Sequence, residues 1–481
     1  MKPPLFTPPV VHLATAPARH CAASAARWAR LCLAAAVLAC AVPSVHAACM
    51  DDDKPDPVLP ATAASGTTAN TASLTPRDPR RQLQALVQDA LQRSNGIGAA
   101  RLLAEAAVQD VDEAKAAKLP QASAFASVNP NLVASGGRGG DSTGSQLQAR
   151  AGVNLSQTLF DGGRGDRLVD WRRQQAEVAR QGILSTEEQL SLSTTSLAFE
   201  RSRFRMQAVI WGQHVRKMGC LVEALDSIVA ADKGRTSELV QARKQMQQAE
   251  LQQVQSASQA RQVEARLRRI AGDGLPGTDG MSSLLLAVPD LPELLVAAAR
   301  SSDITQLDAN AAALREMARA VEAGTKPQVS WNVGSSALLA AGSGNPRNAS
   351  VSAGLSVNIP LYNPGIGHSI QAARKRAEAA GLQRADTLEL RRQRIVDAHE
   401  QATAAFDRLR RISLVLRDSD RLRNFTLQQW QQLGRRSLFD VIAAESDHYS
   451  LRVQYINALH DGQQTNATLL SLGSGLAGWL Q

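Results

Sequence analysis

The chain has 481 residues and a formal net charge of +9, yet aromatic residues make up only 4% of it. Its basic residues alternate with acidic ones along stretches of helical sequence. This pattern is typical of a solvated helical face and excludes nucleic acid as a partner. The spacing of His, Cys, Ser and carboxylate residues fits neither a metal site nor a nucleophile with its base. We therefore expect no enzyme activity, no cofactor and no metal.

Residues 1–47 have the composition of a removable export signal. Arg27 and Arg30 precede an apolar run at residues 31–42, and Ala47 completes a small-x-small cleavage site. We expect the mature protein to act outside the cytoplasm. No later segment offers about 18 uninterrupted apolar residues, so we expect strands, and not a helix, to enter any membrane.

Residues 48–80 are predicted to form a flexible, low-complexity leader, because the segment is rich in Asp, Pro, Thr and Ala and cannot build a core. Cys40 and Cys49 are each candidates for lipid attachment. Leu38 and His46 fit the lipidation signal poorly. The sequence alone leaves open whether either cysteine is lipidated.

The remaining chain divides into two similar units, residues 81–285 and 286–481, which we interpret as an internal duplication. Each unit is predicted to contain two helices, a β-hairpin, a long helix, a tip and a further helix. The Ala-rich second helix stops at Pro120 in the first unit and at Pro327 in the second, because proline ends a helix and begins an extended segment.

After each of these prolines the hydrophobic period changes to two. Apolar residues alternate with polar or small residues over 146–156 and 348–359, and shorter runs occupy 121–128 and 328–333. The sequence therefore predicts one hairpin in each unit. The predicted loops are the following: residues 135–145 and residues 340–348.

Strands with one apolar and one polar face over about ten residues are typical of a transmembrane barrel. A half-buried sheet of a soluble protein is the alternative. Four strands cannot enclose an aqueous pore, and open edges are not tolerated in lipid. We therefore expect several copies to assemble. Three copies give about twelve strands, and the sequence does not exclude other small multiples.

Strand leads into helix at two similar motifs, which are Leu159-Phe160-Asp161-Gly162-Gly163 and Leu361-Tyr362-Asn363-Pro364-Gly365. Long helices are predicted at 167–232 and 367–433, and at 1.5 Å per residue each is about 100 Å long. The shorter helices are predicted at 95–118, 236–271, 303–325 and 436–470. Stacked end to end in pairs, the shorter helices match the long ones and form a coiled-coil wall.

The order of these motifs, occurring twice, resembles the TolC family of outer-membrane efflux and secretion channels across nearly all of residues 82–479. The resemblance implies a mixed α/β membrane protein. Its trimer forms a twelve-stranded outer-membrane β-barrel, which continues into a long α-helical coiled-coil barrel in the periplasm. It also implies a periplasmic adaptor, or membrane fusion protein, and an inner-membrane pump as partners.

The resemblance also implies a gate at two helix-turn-helix tips. The tip turns contain Gly234 and Arg235 in the first unit and Gly434 and Arg435 in the second. By similarity to the family, Glu238 is expected to pair with Arg436, and Asp440 to line the narrow end of the tunnel. Ala443 replaces a second acid at the constriction. Alternatively, Glu238 and Asp440 occur there only because the helix dipole favours an acid in the first turn of a helix.

We expect a passive channel that works with an ABC transporter or a proton-driven pump. The poor lipidation signals favour type I secretion of an unfolded polypeptide, such as a cyclolysin-like toxin, over efflux of small-molecule drugs. The competing hypothesis from another class is a periplasmic coiled-coil scaffold without a pore.

Overall fold

A computed structural model describes residues 78–135, 142–341, 347–433 and 436–480. All of these belong to one unit, Pro55–Gln481. The predicted signal peptide and nearly all of the predicted leader lie outside the described residues. The helices are α1 (Pro79–Arg93), α2 (Asn95–Ala116), α3 (Arg164–Ala231), α4 (Thr236–Ala271), α5 (Leu291–Ala297), α6 (Ser302–Ala323), α7 (Pro364–Leu433), α8 (Leu438–Leu472) and α9 (Leu476–Leu480). The strands are β1 (Gln121–Ser135), β2 (Ser142–Phe160), β3 (Gln328–Ala341) and β4 (Arg347–Asn358).

The four strands form one antiparallel sheet in the order β1-β2-β3-β4. The pairing of β2 with β3 joins the hairpins of the two halves of the chain. Strands β1 and β4 are the edges of the sheet, and within one chain each pairs with a single neighbour. The register between β2 and β3 shifts once, between Thr158 and Phe160, next to the point where β2 leads into α3.

The strand register collects apolar residues from both hairpins on one face of the sheet. This apolar face contains Ala122, Ala124, Ala126 and Val128 of β1, Leu147, Ala149, Ala151, Val153 and Leu155 of β2, Val333 and Ala337 of β3, and Ala349, Val351, Ala353, Leu355 and Val357 of β4. Ser335 is a polar exception. The opposite, polar face carries hydroxyl, amide and small side chains, with Phe125 and Leu338 as its apolar exceptions.

Both faces of the sheet are open to solvent in the single chain. None of the strand residues whose exposure is described, at 121–130, 147–160, 328–338 and 348–358, is buried. On the apolar face, Val351 is 81% exposed and Leu355 is 65% exposed. The apolar face is therefore not covered by a helical layer, as the half-buried sheet of a soluble protein would be.

The helices follow the order of the strands. Helix α2 leads into β1, β2 leads into α3, α6 leads into β3, and β4 leads into α7. Helix α3 packs against α2, α4, α6 and α8, whereas α7 packs against α6 and α8. The helices therefore form four neighbouring columns, with α2 and α4 at one flank and α7 at the other. Among the described helices, none is both long enough and apolar enough to cross a membrane.

The hydrophobic cores lie between the helices. One cluster joins α1, α3, α4, α8 and α9 around Leu83, Phe199 and Leu267, and another joins α5, α6, α7 and α8 around Ile304, Ile395 and Leu469. The two clusters lie next to each other, because α8 contributes Ala467 to the first and Leu469 to the second.

The element boundaries match the predicted ones within a few residues, except that β1 and β3 are longer than predicted. The predicted runs stopped at residues 128 and 333, whereas β1 continues to Ser135 and β3 to Ala341. Pro130 interrupts the pattern in β1, but an edge strand tolerates proline because it needs fewer backbone donors. The predicted loops therefore begin later, and their central residues, 136–141 and 342–346, lie outside the described part.

Candidate channel and gate sites

The two junctions between strand and long helix share one turn geometry. Asp161 Oδ1 accepts a hydrogen bond from the backbone N of Gly163 at 3.0 Å, and Asn363 Oδ1 accepts one from the backbone N of Gly365 at 3.0 Å. In both halves a short polar side chain thus holds the backbone two residues further on, which is the Asx turn. Pro364 follows this turn as the first residue of α7.

Glycine is required at the first junction. Gly162 and Gly163 have φ angles of +69° and +86°, which are strained for residues with a Cβ atom. A Cβ atom on Gly162 would also lie 2.5 Å from the side chain of Lys326. Lys326 Nζ donates to the carbonyl oxygen of Gly162 at 3.2 Å, which ties the two halves together at this level. Pro120 and Pro327 lie directly before β1 and β3.

The first tip is a tight turn between α3 and α4. A short 3-10 turn spans Lys233–Arg235, and Asp232 Oδ1 accepts from the backbone N of Gly234 at 2.9 Å. Glu238 lies in the first turn of α4, with its side chain only 15% exposed. Its carboxylate is 3.9 Å from Nε of Arg235. The charge contact of Glu238 is therefore within its own tip.

The second tip lies between α7 and α8, and its predicted turn residues Gly434 and Arg435 lie outside the described residues. Ser437 Oγ accepts from the backbone N of Phe439 at 3.2 Å and caps α8. The guanidinium of Arg436 is 3.6 Å from the carboxylate of Asp440, and each of these side chains is 48% exposed. Arg436 Nε also donates to Gln429 at 3.2 Å.

The expected link between Glu238 and Arg436 is not among the ion pairs of the described residues in this single chain. Each of the two side chains instead has an ionic partner three or four residues away in its own tip. Glu238 and Asp440 both lie in first helical turns, where the helix dipole favours an acid. The link and the constriction role of Asp440 stay predictions.

An apolar cluster, which we call the tip cluster, packs the two tips together. Its buried members are Met218, Leu221, Val222 and Leu225 of α3, Leu239 and Ala242 of α4, and Leu438, Val441 and Ile442 of α8. Leu427 and Trp430 of α7 pack against it. Gln245 of α4 also donates to Ser446 of α8 at 2.8 Å. The single chain therefore brings the two predicted tips into direct contact.

A buried polar layer lies next to the tip cluster, between α3, α7 and α8. Arg423 of α7 approaches the carboxylate of Glu445 of α8 at 3.6 Å, and the Glu445 side chain is almost fully buried. His214 of α3 stacks on Tyr449 of α8 with ring centroids 4.6 Å apart, and His448 meets the same ring edge-on at 5.7 Å. This layer couples the two helical hairpins through aromatic and charged side chains.

Burial lowers the pKa of His214 to about 4. The pKa of His448 is also lowered to about 4, first by burial and then by the positive charges of Arg423 and Arg452. Both rings are therefore neutral at pH 7. Charging either ring would place a cation in a poorly solvated layer that already contains two arginines.

The sequence analysis did not single out this polar layer. Its α8 members, Glu445, His448, Tyr449 and Arg452, have the spacing i, i+3, i+4 and i+7 and so share one helix face. That spacing was a usable signal, but it could not show that the face is buried. Among the described residues, no group of three or more His, Cys, Asp or Glu side chains could hold a metal ion.

The sheet has one uncovered apolar face and is continuous with long paired helices that end in packed tips, which is the arrangement expected from the resemblance to TolC-type channels. Residues 86–273 match the family model described as outer membrane efflux protein. Over these residues the chain is similar to outer membrane efflux proteins. The resemblance to TolC-type channels predicted from the sequence is confirmed. No curated protein sequence matches the chain.

Solved structures of outer-membrane channels share the fold. The structure of CusC, which forms a transmembrane channel, is 18% identical, with a TM-score of 0.71 over 82% of this chain and 92% of that one. The outer membrane protein VceC from Vibrio cholerae is 18% identical, with a TM-score of 0.68 over 82% of this chain and 97% of that one. The CmeC outer membrane channel of Campylobacter jejuni is 14% identical, with a TM-score of 0.68 over 85% and 90%. The proteins that this chain resembles are channels and not enzymes.

Proposed function

We propose that the protein is a passive export duct of the outer membrane, built from three copies whose sheets close into a twelve-stranded barrel and whose helices continue as a tunnel into the periplasm. The single observation that carries the proposal is the sheet itself. It has one continuous apolar face without a helical cover, and two free edges.

Lipid is the natural cover for such a face, because the apolar side chains recur on all four strands over a bilayer-spanning length. In lipid the backbone groups of the edge strands β1 and β4 need partners, since no water is present to bind them. Pairing β1 of one copy with β4 of the next satisfies both edges. A four-stranded sheet cannot enclose a water-filled pore, whereas twelve strands can.

The flanking helix columns support the same assembly. Large apolar side chains that are exposed in the single chain concentrate on these two flanks. They are Leu102, Leu103 and Val108 of α2, Val240, Leu251 and Val254 of α4, and Leu382, Leu390, Leu414, Leu422 and Phe425 of α7. Helix α2 leads into the edge strand β1, and the edge strand β4 leads into α7, so the helix flanks adjoin the two free edges of the sheet. One arrangement of copies therefore pairs the free edges and covers the exposed apolar side chains.

Two alternatives from the sequence are less well supported. A soluble half-buried sheet needs an apolar layer against the apolar face, and the described helices do not supply one. A coiled-coil scaffold without a pore accounts for the helices but gives no role to four strands with a shared apolar face. The channel proposal explains both parts of the chain.

We propose that the packed tips form the closed periplasmic end. Asp440 is half exposed at the start of α8 and is free to face the axis of an assembly. In the assembled tip, a link between Glu238 and Arg436 competes with the local pairs of Glu238 with Arg235 and of Arg436 with Asp440. Such partly exposed pairs contribute about 1 kcal/mol or less, so a docking adaptor could shift the balance.

The partners that fit this duct are a periplasmic adaptor and an inner-membrane ABC transporter or proton-driven pump, since a passive channel carries no energy source. The family description names efflux, which supports small-molecule cargo. Type I secretion of a polypeptide, favoured by the poor fit of the lipidation signals, stays a prediction about the cargo of the same duct.

Planar-bilayer recording of the purified protein tests the proposal. Wild type is expected to insert and give small openings, and Asp440→Ala is expected to give larger ones because an acid at the narrow end is removed. Glu250→Ala, which removes an exposed acid of α4 away from the tip, is the matched control and is expected to behave as wild type. Absence of channels from all three proteins would contradict the proposed function.

A further inference from the structure

The polar face of the sheet carries one charged residue in mid-strand. Only two charged residues occur in the four strands, Arg150 in the middle of β2 and Arg347 as the first residue of β4. The neighbours of Arg150 on the polar face are uncharged, and the register places it opposite Ser127 of β1 and Leu338 of β3.

The side chain of Arg150 is held by contacts within the sheet. Its guanidinium carbon lies 5.9 Å from the centre of the Phe125 ring, and Nη2 donates to Oγ of Ser336 at 3.3 Å. Phe125 is itself fixed, because it lies opposite Gly152 and its ring occupies the place of a side chain there. A Cβ atom on Gly152 would be 2.8 Å from the ring.

The charge of Arg150 is not neutralised within the described part of the chain. The residue is exposed, and the ion pairs of the described residues do not include it. An arginine side chain carries a positive charge and only hydrogen-bond donors. Its contacts with an aromatic face and a hydroxyl orient the group and leave its full positive charge on the polar face.

We propose that Arg150 gives the barrel a preference for anions and anionic cargo. The inference rests on the proposed function, because only a closed barrel turns the polar face toward a water-filled lumen. Symmetric copies would then place identical guanidinium groups at one level of the lumen. Their field extends about 10 Å at 0.1 M salt and about 30 Å at 0.01 M salt, so it spans much of a wide pore only in dilute solution.

Asp440 at the tip has the opposite sign, and in a closed channel the narrow end dominates ion selectivity. The preference due to Arg150 is therefore measured in the Asp440→Ala background. Reversal potentials are recorded across a planar bilayer in dilute KCl gradients and again near 1 M KCl. The Asp440→Ala protein is expected to favour chloride at low salt and to lose this preference at high salt, where the screening length is about 3 Å.

Four variants in that background test the residue. Arg150→Gln is expected to lower the chloride-to-potassium permeability ratio about threefold at low salt, and Arg150→Lys, the charge-conserving control, to leave it unchanged. Combining Arg150→Gln with Ser127→Arg returns the charge to the neighbouring strand and is expected to restore the ratio. Ser127→Glu leaves Arg150 in place, supplies a carboxylate across the strands and is expected to abolish the preference.

The outcomes separate the inference from the proposed function. Proteins that give no conductance contradict the channel itself. Proteins that conduct with the same permeability ratio in Arg150→Gln, Ser127→Glu and the Asp440→Ala background overturn the role of Arg150 and leave the channel intact. Because Ser127→Glu keeps Arg150, a folding defect in Arg150→Gln does not decide the test.

Discussion

The sheet and the tip cluster contain similar apolar side chains in opposite environments. Leu438 of the tip cluster is fully buried within the chain, whereas Val351 of the sheet is 81% exposed. The apolar side chains of the tip are therefore buried within one chain. The apolar face of the sheet is not covered within the chain, and we propose that lipid and neighbouring copies cover it. The tip is thus able to close in the single chain, and the sheet acquires its function only in an assembly.

The largest effect is expected from a charge on the apolar face of the sheet. Val351→Arg places a guanidinium in the lipid layer at a cost of about 2–4 kcal/mol per copy, so membrane-inserted oligomer should be nearly lost. Ser352→Arg, one residue further and on the polar face, should assemble as wild type. The measurement is the yield of oligomer extracted from the outer-membrane fraction. Equal losses in the two variants would show that the faces are not lipid and lumen.

A smaller effect is expected from a cavity in the tip cluster. Leu438→Ala should lower the stability of the tip by about 2–5 kcal/mol, because a fully buried side chain is truncated. Phe439→Ala removes a side chain that is 45% exposed and should cost much less. Hydrogen exchange of the backbone amides in the α3, α4 and α8 segments of the cluster is the measurement. Faster exchange in Leu438→Ala alone is the expected result, and similar exchange in both variants would argue against a closed tip held by this cluster.

The next effect concerns pH and the buried histidines. The pKa of His448 is about 4 in the folded protein and about 6.5 in an unfolded chain. The unfolded chain therefore binds the proton first as pH falls, so the free energy of unfolding drops between about pH 6.5 and 4 and levels off below. The loss is on the order of 3 kcal/mol per ring. Chemical denaturation in detergent across this range is the measurement.

His448→Gln should reduce that pH dependence, and His214→Gln should reduce it by a similar amount, because burial lowers the pKa of both rings. His368→Gln, which changes an exposed ring near the start of α7, is the matched control and should leave the slope as in wild type. A slope that none of the three changes alters would mean that other groups set the pH dependence, such as carboxylates or His460, whose pKa burial also lowers to about 4.

The smallest effect is expected from the charges of the tips. Arg436→Glu removes a pair with Asp440 and should raise leakage through the channel by severalfold at most, since half-exposed pairs are worth about 1 kcal/mol or less. Antibiotic uptake by cells measures the leakage. If Glu238 and Arg436 face one another in the assembled tip, adding Glu238→Arg should restore closure. If leakage persists in the double variant, the local pairs are the relevant ones.

Much of the fold was predictable because its signals are local. Alternation over residues 146–156 and 348–359, together with the prolines before β1 and β3, located the four strands, and the motifs at Gly162 and Pro364 located the strand-to-helix junctions. The tip cluster brings the two tips of one chain together, whereas the roles of the tip residues Glu238, Arg436 and Asp440 stay predictions.

The buried polar layer and the ion pairs of the tips could not be predicted, because they depend on which helices pack together. Local sequence patterns do not contain this information. Helix α8 shows almost no segregation of polar and apolar residues, because Glu445, His448 and Arg452 are buried beside Tyr449. The pairing of His214 with Tyr449 joins residues more than 200 positions apart. Likewise, the partners of Glu238 and Arg436 within their own tips follow from side-chain geometry that a motif comparison does not contain.

The account depends most directly on copies of this chain completing the sheet. Native mass spectrometry of the detergent-solubilised protein, extracted from the outer-membrane fraction, measures the number of copies. The account predicts a particle with three times the mass of the mature chain, and no stable monomer while the sheet is intact. A membrane-extracted monomer with its full strand content would contradict it.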